Sequence, residues 1–283
     1  MGILSASSFG VSGESLRATE IRRKSYFRTT LVIASLGLWL LFLIPPLETW
    51  SRQYEFVQAI QFCLFAIVIP ALLVAGGPWR LLVLASGEPL RFSSDGALVS
   101  PGPRKLFDRW ALSRVGRRGH QRSVSLLLLF MGQTILWRSA PVVDLLGRHA
   151  WLVVVESITL VVGGALLWFE LVDSPPLSPS TTRPYRIGIS AIAMWTVWVT
   201  AYLMAMTHSS WSPVFHHRAG LDLSPYVDQQ FTAGAMWFIA AGAFIPLVFS
   251  NLNRWLRSED DPDDELCQLV RRDRTRGFFG TNP

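Results

Sequence analysis

Glu55, Gln58, Glu156, Asp228 and Gln229 are the residues whose types and setting demand a chemical explanation. Each lies at or within an apolar stretch long enough to cross a bilayer, where an ionisable side chain costs a few kcal/mol or more. Carboxylates and amides so placed bind polar ligands, relay protons or pair with one another. A second group, Met204, Met206 and His208 with His216 and His217 just beyond, offers thioether and imidazole donors. That donor set suits copper, Cu(I) above all. Plainer roles stand beside these. Asp228 reads as an N-cap at the positive end of its own helix, and Gln58, Gln61 and Gln133 read as hydrogen bonders between helices. No G-x-S-x-G, P-loop, H-E-x-x-H or G-x-G-x-x-G motif occurs. The chain does not read as an enzyme.

The elements that must position these residues are membrane helices. Half of the 283 residues are hydrophobic and only 16% are charged, against roughly 25% in soluble domains. A soluble core cannot bury such a surplus, so the composition points to an all-α, polytopic membrane bundle. Six apolar segments are legible: 29–46, 54–76, 123–137, 150–172, 187–207 and 224–256. The last is rich in small residues, Ala233, Gly234, Ala235 and the run 240–243, which permit close helix approach. It is expected to organise the packing of the others. Residues 138–149 read as a compact outer loop.

Charge sets the orientation. With both termini in the cytoplasm, all but four of the 26 Lys/Arg fall on the inner side, as the positive-inside rule requires. The four are Arg52, Arg138, Arg148 and Arg218. The expected layout is a cytoplasmic tail over 1–28, a six-helix transmembrane domain over 29–257 and a cytoplasmic tail over 258–283. A basic inner loop over 79–122 is expected to lie on the membrane surface. In this arrangement Glu55, Gln58, Glu156, Asp228 and Gln229 all come near the outer leaflet and could line one polar pocket. The net charge of +6 carries no nucleic-acid motif with it, so the expected partners are lipid and protein. Cys63 and Cys267 are too far apart in sequence to suggest a disulfide framework.

Three blocks carry a family resemblance. Asp228-Gln229-Gln230 with Gly234 and Met236-Trp237 opens the last helix. Pro70-x-Leu72-Leu73-x-x-Gly76-x-Pro78 ends the second, and Trp137, Ala140-Pro141, Glu156 and 171–176 mark the middle. In this order they resemble the CtaG-like cytochrome c oxidase assembly factors. Gln58, Phe62, Arg138 and Ser157 stand where that family carries histidines, whereas Glu156, Asp228 and Gln229 match it. The resemblance implies a bacterial inner-membrane accessory protein that docks a subunit or assembly intermediate of a haem–copper oxidase, with copper as the candidate cofactor. Two other readings fit the residues: a proton-coupled permease using Glu156 and Asp228, and a periplasmic-side copper protein using the Met/His group.

Overall fold

The computed structural model describes residues 26–77, 117–173, 181–207, 211–215 and 223–257. The two chain ends and most of the basic 79–122 segment lie outside the described residues, as do His208, His216 and His217. Among the described residues the regular structure is entirely helical.

Helix α1 (Tyr26–Leu41) is apolar but short. It leads through Pro45-Pro46 into the small helix α2 (Leu47–Gln53). Helix α3 (Glu55–Gly76) follows, then α4 (Arg117–Trp137), α5 (Ala140–Arg148), α6 (Ala150–Leu171), α7 (Arg183–Met206) and α8 (Pro225–Leu256). Helices α3, α6, α7 and α8 are each long and apolar enough to cross a membrane, and α4 with α5 forms a further bent pair. Among the described residues there are therefore four or five candidate spans. Large apolar side chains on the outer surface, among them Leu128, Ile158, Val162, Trp195, Phe238 and Phe249, are exposed. That is the surface of a protein solvated by acyl chains.

Two expectations change. Residues 138–149 are not a loop: 140–148 form α5, which leaves α4 at an angle of 64°. Pro141 occupies the first turn, where its missing N–H is harmless and its fixed φ starts a helix. Val143 and Leu146, three residues apart, are both buried, so α5 is an amphipathic rim helix. Nor is α8 the most buried helix. Only 28% of its apolar window is buried, against 61% for α3. Helix α8 does run closely against α7 and α3, with Ala233 and Ala240 buried, but Gly234 and Gly242 have open space beside them; the closest approach made by a glycine occurs elsewhere.

That approach is between α3 and α6. Pro70 would clash with the Ala66 carbonyl four residues earlier in a regular helix. The chain relieves this by widening into a π-helical turn over Leu64–Val68. Gly164 of α6 then sits so close that a Cβ there would lie 2.4 Å from the Ala66 oxygen and 2.7 Å from Pro70 Cγ. A Cβ on its neighbour Gly163 would run into the amide end of the Gln133 side chain on α4. Below this crossing Trp168 stacks on Phe244 at 5.4 Å, and Phe130 meets the same ring edge-on at 6.3 Å.

Polar contacts gather at the two ends of the bundle. At one end Asp173, just after α6, pairs with Arg186 of α7 at 2.9 Å and Arg254 of α8 at 3.3 Å. There too Glu170 of α6, fully buried, faces Ser123 at 3.4 Å and Arg122 at 3.6 Å on α4. The other end holds Glu55, Gln58, Glu156, Asp228 and Gln229.

Candidate functional site

The site is built from the start of α3, the end of α4, the second turn of α6, the end of α7 and the start of α8. Ser224 caps α8, its hydroxyl accepting from Val227 N at 3.4 Å. Asp228, one turn further, is thereby free to serve a different helix. Its two carboxylate oxygens accept from the backbone N–H groups of Glu55 at 2.8 Å and Phe56 at 2.9 Å. Asp228 is thus the N-terminal cap of α3, supplied from across the bundle. These donors would otherwise be orphans at a helix start, and the negative charge sits at the positive end of the α3 dipole.

The capped turn presents Glu55 inward. Its carboxylate is 3.9 Å from Nη2 of Arg138, and both side chains are about 1–2% exposed. At this separation the two form an ion pair without a direct hydrogen bond. The Arg138 guanidinium lies over the Phe62 ring at 5.6 Å from its centroid, and Nη2 reaches Met204 Sδ at 3.6 Å. Its charge also acts on Glu156, which is buried on α6. Arg138 is among the largest fully buried side chains in the described protein. Several buried polar atoms on these helices lack a hydrogen-bond partner: Glu55 Oε1, Gln58 Oε1, Arg138 Nε, Thr134 Oγ1 and Thr232 Oγ1.

Gln229 closes this end of the bundle. Its Nε2 donates to the Met204 carbonyl and to Thr207 O at 3.0 Å, holding α7 against α8. Its Oε1 accepts from Trp211 N at 3.0 Å. Trp211 in turn donates from Nε1 to Arg138 O at 2.9 Å. Next to it Ser212 Oγ donates to Asp144 Oδ1 on α5, and Val214 N donates to the same oxygen at 3.1 Å. Residues 211–215 therefore form a strap across this end of the bundle. Val214 presses against Gly147 of α5, where a Cβ would lie 2.8 Å from its side chain.

Glu55, Gln58, Glu156, Asp228 and Gln229 are all buried at this one end. The methionines part company, as residues two apart on a helix must: Met204 is fully buried and Met206 is 55% exposed. Arg138, an outer-loop cation by the charge pattern, is instead at the centre of the polar cluster. The signal for it was its place directly after Trp137, at a helix end facing the same leaflet as Glu55 and Glu156. Trp211 and Asp144 were also missed, because their roles depend on a strap that no local pattern announces.

The sequence profile of the cytochrome c oxidase caa3 assembly factor family (Caa3_CtaG) matches residues 14–258. The chain belongs to that family. No curated protein and no solved structure matches it significantly. As a caa3 assembly factor family member built of long apolar helices, it is an integral membrane protein.

A link to haem–copper oxidases raises the question of copper, and the described cluster does not fit that ion. Soft Cu(I) seeks thiolate, thioether and imidazole donors. Met204 sulfur is already within reach of the guanidinium, and Cys63 is buried in the field of the same cation. Among the described residues no three His, Cys, Asp or Glu side chains converge as metal ligands. A fixed positive charge at the middle of the cluster repels a second.

Proposed function

We propose that this chain assists the assembly of a haem–copper cytochrome c oxidase by docking a subunit or assembly intermediate, without catalysing a reaction itself. The observation that carries the reading is the family match across 14–258. In this reading the protein sits in a bacterial inner membrane with six crossings and both termini in the cytoplasm. Helix α1 is then a short crossing, and the end bearing Arg186 and Arg254 faces inward, in keeping with the positive-inside rule. Glu55, Gln58, Glu156, Asp228 and Gln229 lie at the outward end, where the strap and the exposed aromatics Trp151 and Tyr226 offer a surface to a membrane-embedded client. The cluster shapes that surface by fixing the relative positions of α3, α4, α7 and α8.

The permease reading loses support from Asp228, whose carboxylate is engaged by two backbone donors. The copper reading rests on His208, His216 and His217, outside the described residues, together with two methionines that face opposite ways.

Deletion of the gene, with haem spectra and oxidase activity measured in isolated membranes, tests the proposal. Assembled oxidase should fall several-fold and recover on complementation. Unchanged oxidase content in the deletion strain would overturn the reading.

A further inference from the structure

We propose that Arg138 is the resident cation of the outer-end cluster. The surrounding side chains form a receptor for a planar cation, occupied by the chain's own guanidinium, that accepts a free guanidinium ion once that side chain is removed. This rests on the cluster geometry alone and stands or falls independently of the client.

The surroundings of Arg138 are those of a cation site. A carboxylate, Glu55, lies 3.9 Å from Nη2. A second, Glu156, is buried within its field. The Phe62 ring presents its face at 5.6 Å, the arrangement in which a ring quadrupole attracts a cation. Met204 adds a polarisable sulfur at 3.6 Å. Gln58 Oε1 and Glu55 Oε1 are buried acceptors without a hydrogen-bond donor. A buried carboxylate, an amide oxygen without a donor and the electron-rich face of a ring are unfavourable neighbours for one another in a lipid-embedded core unless a cation joins them.

The shape favours guanidinium over ammonium. A flat, weakly hydrated cation can stack on a ring while its edge faces carboxylates. A compact ammonium keeps its hydration more tightly and cannot cover Phe62 in the same way. The backbone of Arg138 is also fixed, its carbonyl accepting from Trp211 Nε1 and its N–H donating to Thr134 O at 3.1 Å. The side chain is thus aimed into the site from a rigid helix end. A copper ion would have to displace this cation, so the described cluster should not retain Cu(I).

The test uses the full chain purified in detergent, in a Cys267→Ser background, with the buried Cys63 thiol as the reporter of thermal unfolding. Arg138→Ala should unfold well below the parent. Millimolar ethylguanidinium chloride, far below denaturing concentrations, should recover at least half of that loss and leave the parent unchanged. Equal concentrations of urea or tetramethylammonium chloride should recover none. Equal shifts of parent and variant, or recovery by urea, would overturn the proposal. Should Arg138→Ala not fold, Arg138→Lys and Arg138→Met decide: the charged variant should unfold above the neutral one, and the opposite order refutes a cation role. Finally, the parent protein loaded with Cu(I) and desalted should keep no metal that depends on Met204 or Glu156. One copper per chain, lost in Met204→Leu, would place a metal where we place Arg138.

Discussion

Removing the Asp228 carboxylate should destabilise a helix to which Asp228 does not belong. Both of its oxygens accept backbone N–H groups, from Glu55 at 2.8 Å and Phe56 at 2.9 Å. Hydrogen bonds to a charged group contribute about 1.5–3 kcal/mol each, and an N-cap replaced by alanine costs about 0.5–2 kcal/mol. Since the second figure already contains part of the first, Asp228→Ala should cost about 3 kcal/mol. Asp228→Asn keeps one acceptor oxygen and loses the charge, so roughly half of that loss, about 1.5 kcal/mol, is expected. Thermal unfolding read through Cys63 exposure, in the Cys267→Ser background, ranks the three proteins. Amide exchange localises the effect, because protection should fall first at 55–58 at the start of α3 and not at the start of α8. The reasoning is refuted if Asp228→Ala is as stable as the parent, or if the loss of protection begins at Ser224 instead.

Three further outcomes follow from the same contacts. Gly164→Leu should prevent stable folding, since even its Cβ would meet the Ala66 oxygen and Pro70, whereas Gly234→Ala, with open space beside it, should be neutral or stabilise by up to about 1 kcal/mol; thermal unfolding compares the two. Gln229→Leu removes the donor to Met204 and Thr207 and the acceptor for Trp211, so the strap should loosen. A cysteine at Ser212, fully buried in the parent, should resist a membrane-impermeant maleimide and become reactive when combined with Gln229→Leu; equal labelling of both proteins would contradict the strap. Arg186→Ala breaks the contacts to Asp173 at 2.9 Å and Thr181 O at 3.0 Å; because Asp173 is half exposed and keeps Arg254, the loss should be only about 1 kcal/mol, measured by the same unfolding assay.

The helices were legible where apolar length alone decides. The second and fourth segments, 54–76 and 150–172, fall within a residue of α3 and α6. What escaped the sequence was every feature set by a partner. The periodicity of 140–148 is that of a buried helix face, but nine residues are too few to separate a rim helix from a loop. The glycines of α8 looked like packing residues because composition does not say which helix face meets protein. Gly164 does that work, at a crossing created by the Pro70 distortion in another helix, while Gly163 faces Gln133 of α4. Asp228 was legible as a cap but not as the cap of α3, because Ser224 satisfies the start of its own helix. The acidic and amide residues drew notice because polar groups within apolar stretches are conspicuous, and they are buried. Arg138 was overlooked because an arginine between two apolar runs is the ordinary mark of a loop.

The two polar ends of the bundle explain why such different sequence positions meet. Glu55 opens α3, Arg138 follows α4, Glu156 lies two turns into α6, Met204 and Thr207 end α7, and Gln229 opens α8. In a chain that reverses direction at each crossing, starts and ends alternate at one surface, so all of these residues fall on one side by connectivity alone. The opposite side receives Ser123, Glu170, Asp173, Arg186 and Arg254 by the same rule, and there they do pair. Alternation, however, fixes only the surface at which a residue lies. Bringing Glu55 within reach of Arg138 also requires α3 to be the buried helix, and that is served by Gly164, which lets α6 close against the widened turn before Pro70. The geometry of the polar site therefore depends on a helix distortion deeper in the apolar core. Substitutions at that crossing should perturb Arg138 and its partners as surely as substitutions in the cluster itself.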